Sequence, residues 1–249
     1  MLGVGISCLD LPSAVDRLAG WIADGQRHYV CVTGMHGVME SQSDPELRAI
    51  HNRSGMTTPD GMPMVWAGRW AGASPMARVY GPDLMAAVLT RALAEGWSSY
   101  FYGGRPEVLE ALVARLASDY PGLDIRGTAS PPFRALSPEE DADLTAAIEA
   151  SGADLVWVGL GTPKQERWMA EHRHQLRAPA LLGVGAAFDL LAGTLPQAPP
   201  WMRHHGLEWS YRLVKEPRRL WRRYLLNIPR FGAALLRHPP RLRSADQLR

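Results

Sequence analysis

The sequence predicts an α/β fold: a Rossmann-like, mostly parallel sheet flanked by helices, followed by a basic helical appendage at the carboxyl end. Three observations predict it. Four short apolar runs each stop at glycine, helical patterns follow them, and the charge balance changes sign near residue 200. Tyr29 to Thr33 (YVCVT) is β-branched and aromatic and ends in the turn formers Gly34 and Gly37. Ser98 to Tyr102 (SSYFY) stops at Gly103-Gly104. Pro106 to Tyr120 then places Val108, Leu112, Val113 and Leu116 at helical spacing behind an acidic first turn. Leu155 to Val158 (LVWV) stops at Gly159-Leu160-Gly161, and a helix is expected through Gln165 to Leu176. Ala180 to Val184 stops at Gly185. Strand, glycine, helix is the rhythm of a doubly wound sheet, in which ligands lie beyond the carboxyl ends of the strands. The glycines therefore mark the expected rim of a site.

At 249 residues, 46% hydrophobic and 21% charged, the chain suits one large domain plus an appendage. The first twelve residues lack the positive charge and long apolar run of a signal peptide. No run reaches the roughly 18–20 apolar residues of a membrane span. Cys8 and Cys31 form neither a metal pattern nor a disulfide framework, which favours a reducing, cytoplasmic setting. The net charge of +2 conceals an asymmetry. Residues 1–200 carry 15 Lys and Arg against 22 Asp and Glu, whereas residues 201–249 carry 12 against 3. The segment Leu195 to Pro200 (LPQAPP) is the expected boundary, and the basic tail calls for an anionic partner.

Glycine-ended strands facing helix starts suit a diphosphate, because backbone N–H groups approach its oxygens and the helix dipole favours its charge. Tight turns with no ligand satisfy the same glycines. Thr162-Pro163-Lys164-Gln165-Glu166 is more specific, with polar groups crowded above a strand end. In Thr58-Pro59-Asp60-Gly61-Met62-Pro63 a carboxylate sits in a stiff loop, read either as a plain Asp-Gly turn or as a partly desolvated general base. Asp141 and Asp143 belong to Ser137-Pro138-Glu139-Glu140-Asp141, a capped helix start with structural acids. The histidines have no metal-ligand spacing, so neither a metal nor a cofactor is expected.

Taken in order, these clusters resemble the WecG/TagA/CpsF family of bacterial glycosyltransferases, from about Gly25 to Phe231. The resemblance rests on Thr33, Pro59-Asp60-Gly61, Arg78-Val-Tyr-Gly81, Gly103-Gly104 and Asp154 through Glu166. It continues through Gly183-Val-Gly185, Phe188-Asp189, Gly206 through Arg212 and Glu216-Pro-Arg-Arg219. It implies an inverting, metal-independent transferase that moves a sugar from a UDP donor to a lipid-diphosphate-linked saccharide at the inner membrane surface, with no nucleic-acid partner. Residues 1–200 would then be the nucleotide-sugar-binding body, and residues 201–249 a membrane-facing lid. On this resemblance Asp60 is the base that deprotonates the acceptor, and Arg212, Arg219 and Arg222 serve the leaving diphosphate. Thr33 and Gln165 hold the donor sugar, Arg78 lines the pocket, and Gly185 and Asp189 lie near the nucleotide. Gly103, Gly104, Gly159, Gly161, Pro163, Lys164 and Phe188 complete the expected binding surface.

The chain departs from the family pattern twice. Family members carry Asn two residues after the threonine, where this chain has Thr33-Gly-Met-His36, making His36 the candidate substitute. Gln197 stands where Arg is common before the appendage. Both changes leave the sugar open among N-acetylmannosamine, glucose and related hexoses. Homo-oligomer formation is also left open. A Rossmann-type oxidoreductase or epimerase would need an early G-x-G-x-x-G, and Gly3-x-Gly5 has no third glycine in place. A nonenzymatic anion- or membrane-binding module would rest on the arginine- and tryptophan-rich tail alone.

Overall fold

The computed structural model describes residues 1–199, 201–202 and 205–243, with the backbone alone of Arg219, Arg222 and Arg223. The chain opens with α1 (Leu11–Ala23), capped by Asp10, whose carboxylate accepts from the Ser13 amide. There follow β1 (His28–Thr33), α2 (Met35–Ser43), α3 (Pro45–Arg53), β2 (Met56–Pro59), α4 (Met62–Trp70) and α5 (Gly81–Glu95). Next come β3 (Ser99–Gly103), α6 (Pro106–Asp119), β4 (Ile125–Ala129), α7 (Pro138–Ser151), β5 (Leu155–Gly159) and α8 (Lys164–His172). The body closes with β6 (Ala180–Gly183) and α9 (Ala187–Leu191).

The six strands form one parallel sheet in the order β2-β1-β6-β5-β3-β4. Both faces are covered, as a parallel sheet requires. Val30, Phe101, Trp157 and Leu182 pack on one side against α1, α5 and α6, while Cys31, Tyr102, Val158 and Leu181 face α7 and α8 on the other. Each such fully buried side chain contributes about 1.5–3 kcal/mol. Two strands escape the sequence reading. Met56–Pro59 (MTTP) is short and proline-ended, and Ile125–Ala129 is an edge strand with alternate residues exposed, so neither carries an apolar run. The β2 edge is covered by neighbouring backbone, with Ser7 N–H donating to Thr57 O and Val79 N–H to Pro59 O. The helix expected through Leu176 ends at His172. There Arg173 turns inward and donates to the carbonyls of His28, Leu176 and Ala178.

The crossover from β3 leads to β4 on one side, and that from β5 leads to β6 on the other. The switch point of the doubly wound sheet thus lies between β3 and β5, where Gly103 stands opposite Gly159.

The appendage consists of α10 (Glu208–Lys215), α11 (Pro217–Trp221), a π-helical turn (Arg222–Leu226) and α12 (Asn227–Arg237). The helical run that begins at Pro217 passes Pro229 and continues to Arg237. Pro229 lies three residues after the π-helical turn Arg222–Leu226, where a wider hydrogen-bond pattern interrupts the ordinary α-helical ladder. Phe231 and Leu235 of α12 join a third core cluster with Val4, Val38, Met64 and Ala67 of the body. By contrast, no side chain of α10 is buried. The appendage is thus fastened by buried Leu220, Phe231 and Leu235, while the side chains of α10 are only partly buried. Among the described residues, no helix is long and apolar enough to cross a membrane.

Candidate active site

The site is built above the carboxyl ends of β1 and β2. Thr33 pairs with Pro59, so Asp60 is the first residue beyond the sheet. Its N–H donates to Thr33 O at 3.1 Å, while Val79 N–H donates to Pro59 O at 3.0 Å. The first bond pins Asp60 over β1. The second draws the segment carrying Arg78 and Tyr80 alongside. Gly34 leaves room for the aspartate, since a Cβ there would lie 2.8 Å from the Asp60 carbonyl oxygen and 3.8 Å from Oδ2.

The appendage completes this side of the site. Arg78 lies over the Tyr80 ring, 4.1 Å from its centroid, and donates through Nη2 to Glu208 Oε2 at 2.5 Å. The two paired side chains are only 15% and 14% exposed. One turn along α10, Arg212 faces the same group. Burial opposes its charge, but Tyr224, Tyr80, Glu208 and Asp60 outweigh that and hold its pKa above the ordinary value. Burial, then Glu208 and Asp60, push the Tyr80 hydroxyl far upward, so it remains a neutral donor. That hydroxyl is buried and faces Glu208 without reaching hydrogen-bond geometry.

Beside Asp60 at the end of β1, the buried Thr33 hydroxyl has no hydrogen-bond partner. Gln165 is buried at the start of α8. Its Oε1 accepts from Gly161 N–H at 3.1 Å, and its Nε2 donates to Glu166 Oε1 at 3.1 Å. Thr162 Oγ1 donates to the same Glu166 oxygen at 2.9 Å. Gly183 makes this possible, because a Cβ there would meet the Gln165 amide nitrogen at 3.0 Å. Both heteroatoms of the Gln165 amide are therefore oriented by hydrogen bonds.

An acid beyond β2 with two arginines near it, and a hydrogen-bonded amide at the start of α8, can take a proton from a hydroxyl and hold an anionic group. The sequence matches the profile described as the glycosyl transferase WecG/TagA/CpsF family over residues 1–245. The chain belongs to this family of glycosyltransferases. It is similar to an N-acetylglucosaminyldiphosphoundecaprenol N-acetyl-beta-D-mannosaminyltransferase of Bacillus spizizenii, 30% identical over 230 residues, 92% of this chain and 87% of that one. A protein of the same name from Bacillus subtilis strain 168 is 29% identical over 239 residues, covering 92% and 90%.

The transferase brings together Asp60, Thr33, Arg78 and Arg212, and holds Gln165 at the start of α8, all expected from sequence. The side chains of Arg219 and Arg222 lie outside the described residues. His36 is half-buried and lies 3.1 Å from Glu40, while Met35, which takes the place of the family's asparagine, packs against the Val4–Met64 cluster. Gly103, Gly104 and Gly159 hold the switch point closed. Gly103 has φ +109°, and a Cβ on it would lie 2.8 Å from the Gly159 carbonyl carbon. Phe188, 1% exposed, packs edge-on to Phe101 and fills the space that a Gly159 side chain would need. Gly161 and Gly185 flank Gln165, with a Gly185 Cβ falling 3.5 Å from its Oε1. Pro163 caps α8, and Lys164 is exposed at the rim. Asp189 lies in the first turn of α9, and its carbonyl accepts from the Thr194 and Leu195 amides. Gln197 lines a recess with Arg212, Lys215 and Glu216, so two cations already stand where the family's arginine is missing.

Sequence reasoning gave no role to Tyr80, Glu208 or Glu166. Tyr80 and Glu208 fall inside quoted motifs, but the polar groups of a motif acquire roles only once their partners are known. Asp141 Oδ2 lies at hydrogen-bond distance, 2.8 Å, from His172 Nε2, and the Ser137–Glu140 capping box forms. Asp141 is thus an engaged acid of the first turn, and Asp143 follows it one turn into α7.

Glu166 supports a prediction. It is 0% exposed, and burial raises its carboxyl pKa above the ordinary value, with a smaller push from Glu40. The folded state therefore binds this proton more tightly than the unfolded chain. The associated stability is present below the unfolded pKa and is lost as pH rises toward the folded value. Glu166→Gln keeps the acceptor for Thr162 and cannot ionise. Thermal melts from about pH 4 upward should show the variant gaining on the native chain as pH rises. A variant less stable than the native chain across that range would contradict this assignment.

Proposed function

We propose that this enzyme moves a hexose, N-acetylmannosamine or a relative, from a UDP-sugar to a saccharide on a lipid diphosphate, by a single inverting displacement. The observation that carries this reading is the meeting of Asp60 with Arg212 and Arg78 around Tyr80, with the Asp60 backbone bonded to Thr33. In the proposed step the acceptor oxygen attacks the anomeric carbon as Asp60 takes its proton, and the bond to the nucleotide diphosphate breaks. The electron pair leaves on the β-phosphate, where guanidinium groups stabilise it with bidentate hydrogen bonds. The names of the two Bacillus relatives support a lipid-diphosphate-linked N-acetylglucosamine as acceptor. Residues 201–249 would act as the lid, hinging near the partly buried α10 and held at α12 by Phe231 and Leu235.

Two measurements test the reading. Melting temperatures with UDP, UDP-glucose, UDP-N-acetylmannosamine and UDP-glucuronate should rise most with the true donor, and no rise with any of them would refute it. Metal independence is also proposed, since arginines take the place of a cation and, among the described residues, no three His, Cys, Asp or Glu side chains converge. Turnover should survive EDTA, and Asp143→Ala should be silent. Loss in EDTA reversed by magnesium or manganese would overturn that proposal.

A further inference from the structure

Helix α4 turns Trp66 and Trp70 outward. They are one turn apart, share a face, and are each 55% exposed, whereas Trp157, Trp168, Trp97 and Trp21 of the body are buried. The appendage passes α4 at both ends. A Cβ at Gly206 would lie 3.5 Å from the Trp66 ring, and one at Gly72, just beyond α4, would lie 3.9 Å from Leu242. Leu207 and Leu242 are themselves exposed and border the tryptophan pair. Arg237, Arg241 and Arg243 line a cleft of about 400 Å³ beside the end of α4, together with Met1, Ile6 and Gly68. Trp221, Leu225, Leu226 and Ile228 extend the exposed apolar surface along the appendage.

We propose that Trp66 and Trp70 form an anchor on the catalytic body for an anionic lipid bilayer, setting the depth at which Asp60 works. Tryptophan favours the headgroup layer, where its ring is half-desolvated and its N–H remains wet. Charge complementarity commits the surface to this occupant, because the segment flanking α4 at both ends carries 12 basic residues against 3 acidic ones. The geometry supplies the depth gauge. α4 starts two residues after Asp60, and at about 1.5 Å per residue Trp66 lies about 6 Å along the helix from Met62. No flexible linker separates anchor from base. The inference rests on the lipid-linked acceptor proposed above, whose reacting hydroxyl would stand a sugar ring and a diphosphate away from the acyl layer.

The test uses the full chain with Trp66→Ser and Trp70→Ser combined, and a second variant with both changed to Tyr. Vesicles of phosphatidylcholine with phosphatidylglycerol are sedimented with each protein at low and high salt. High salt screens the arginines and leaves the tryptophan contribution. The Ser pair should bind such vesicles 10- to 100-fold more weakly and lose the salt-resistant component, while the Tyr pair keeps most of it. Turnover on vesicle-borne acceptor should fall with binding. Turnover on a water-soluble N-acetylglucosaminyl diphosphate ester should not change. Native-like vesicle binding by the Ser pair would overturn the proposal, as would a native dimer that the substitution converts to a monomer with vesicle binding intact. If the Ser pair fails to fold, bromolipid quenching decides. Its amplitude should drop in the Tyr pair, and an unchanged amplitude refutes the anchor. Native protein that transfers to neither acceptor would defeat the activity reading alone, because the vesicle arms do not depend on turnover.

Discussion

Asp60→Asn is expected to lower turnover by about 10²–10⁴, the usual contribution of a positioned general base. The amide keeps the size of the carboxylate, and the backbone bonds Asp60 N–H to Thr33 O and Val79 N–H to Pro59 O do not involve the side chain. The fold and UDP affinity should therefore be little altered. The loss should appear in kcat, since the proton is removed as the new bond forms. Steady-state assays with saturating donor, alongside thermal-shift titration with UDP, separate the two effects. Turnover within a few-fold of the native enzyme would end the case for Asp60 as the base.

Arg212→Ala should cost about 10²–10³ in turnover, comparable to removing a preorganised group that faces developing negative charge. Its charge is secured by Tyr224, Tyr80, Glu208 and Asp60 against the opposing effect of burial. Removing it leaves Glu208 with Arg78 as its ion-pair partner, so α10 should remain docked. Arg212→Lys should recover only part of the loss, because an ammonium cannot grip two phosphate oxygens as a planar fork does. UDP should also bind more weakly to Arg212→Ala, which separates this phenotype from that of Asp60→Asn. Unchanged kcat and UDP affinity in Arg212→Ala would remove the residue from the site.

The sheet was legible where strands are buried on both faces, because continuous apolar runs such as YVCVT and LVWV can arise only from such burial. It was illegible at β2, whose buried threonines are satisfied by hydrogen bonds to the His51 and Val79 carbonyls, and at β4, where edge position leaves alternate residues exposed. Asp60 was singled out because a carboxylate between proline and glycine is stiffly held, and Gln165 because polar residues crowd its turn. Glu208 and Tyr80 were not singled out. Glu208 lies 130 residues from its partner Arg78, and nothing local distinguishes it from any acid in a helical first turn. Tyr80 reads as one more aromatic before a helix until its hydroxyl is found buried among charges.

By itself, then, the sequence determined the α/β class, the glycine rim, the family resemblance and the change of charge at residue 200. Each of these is encoded in contiguous residues, through periodicity, backbone allowance or composition. The tertiary structure alone decided that the appendage is fastened by Phe231 and Leu235, and that Arg78 and Glu208 tie α10 over the site. It alone buried Phe188 against Phe101 and Gly159, and left Trp66 and Trp70 facing outward. The physical reason is that burial and ion pairing belong to pairs of surfaces. Whether an aromatic ring fills a core or meets a bilayer depends on what packs against it, and residues far along the chain supply that.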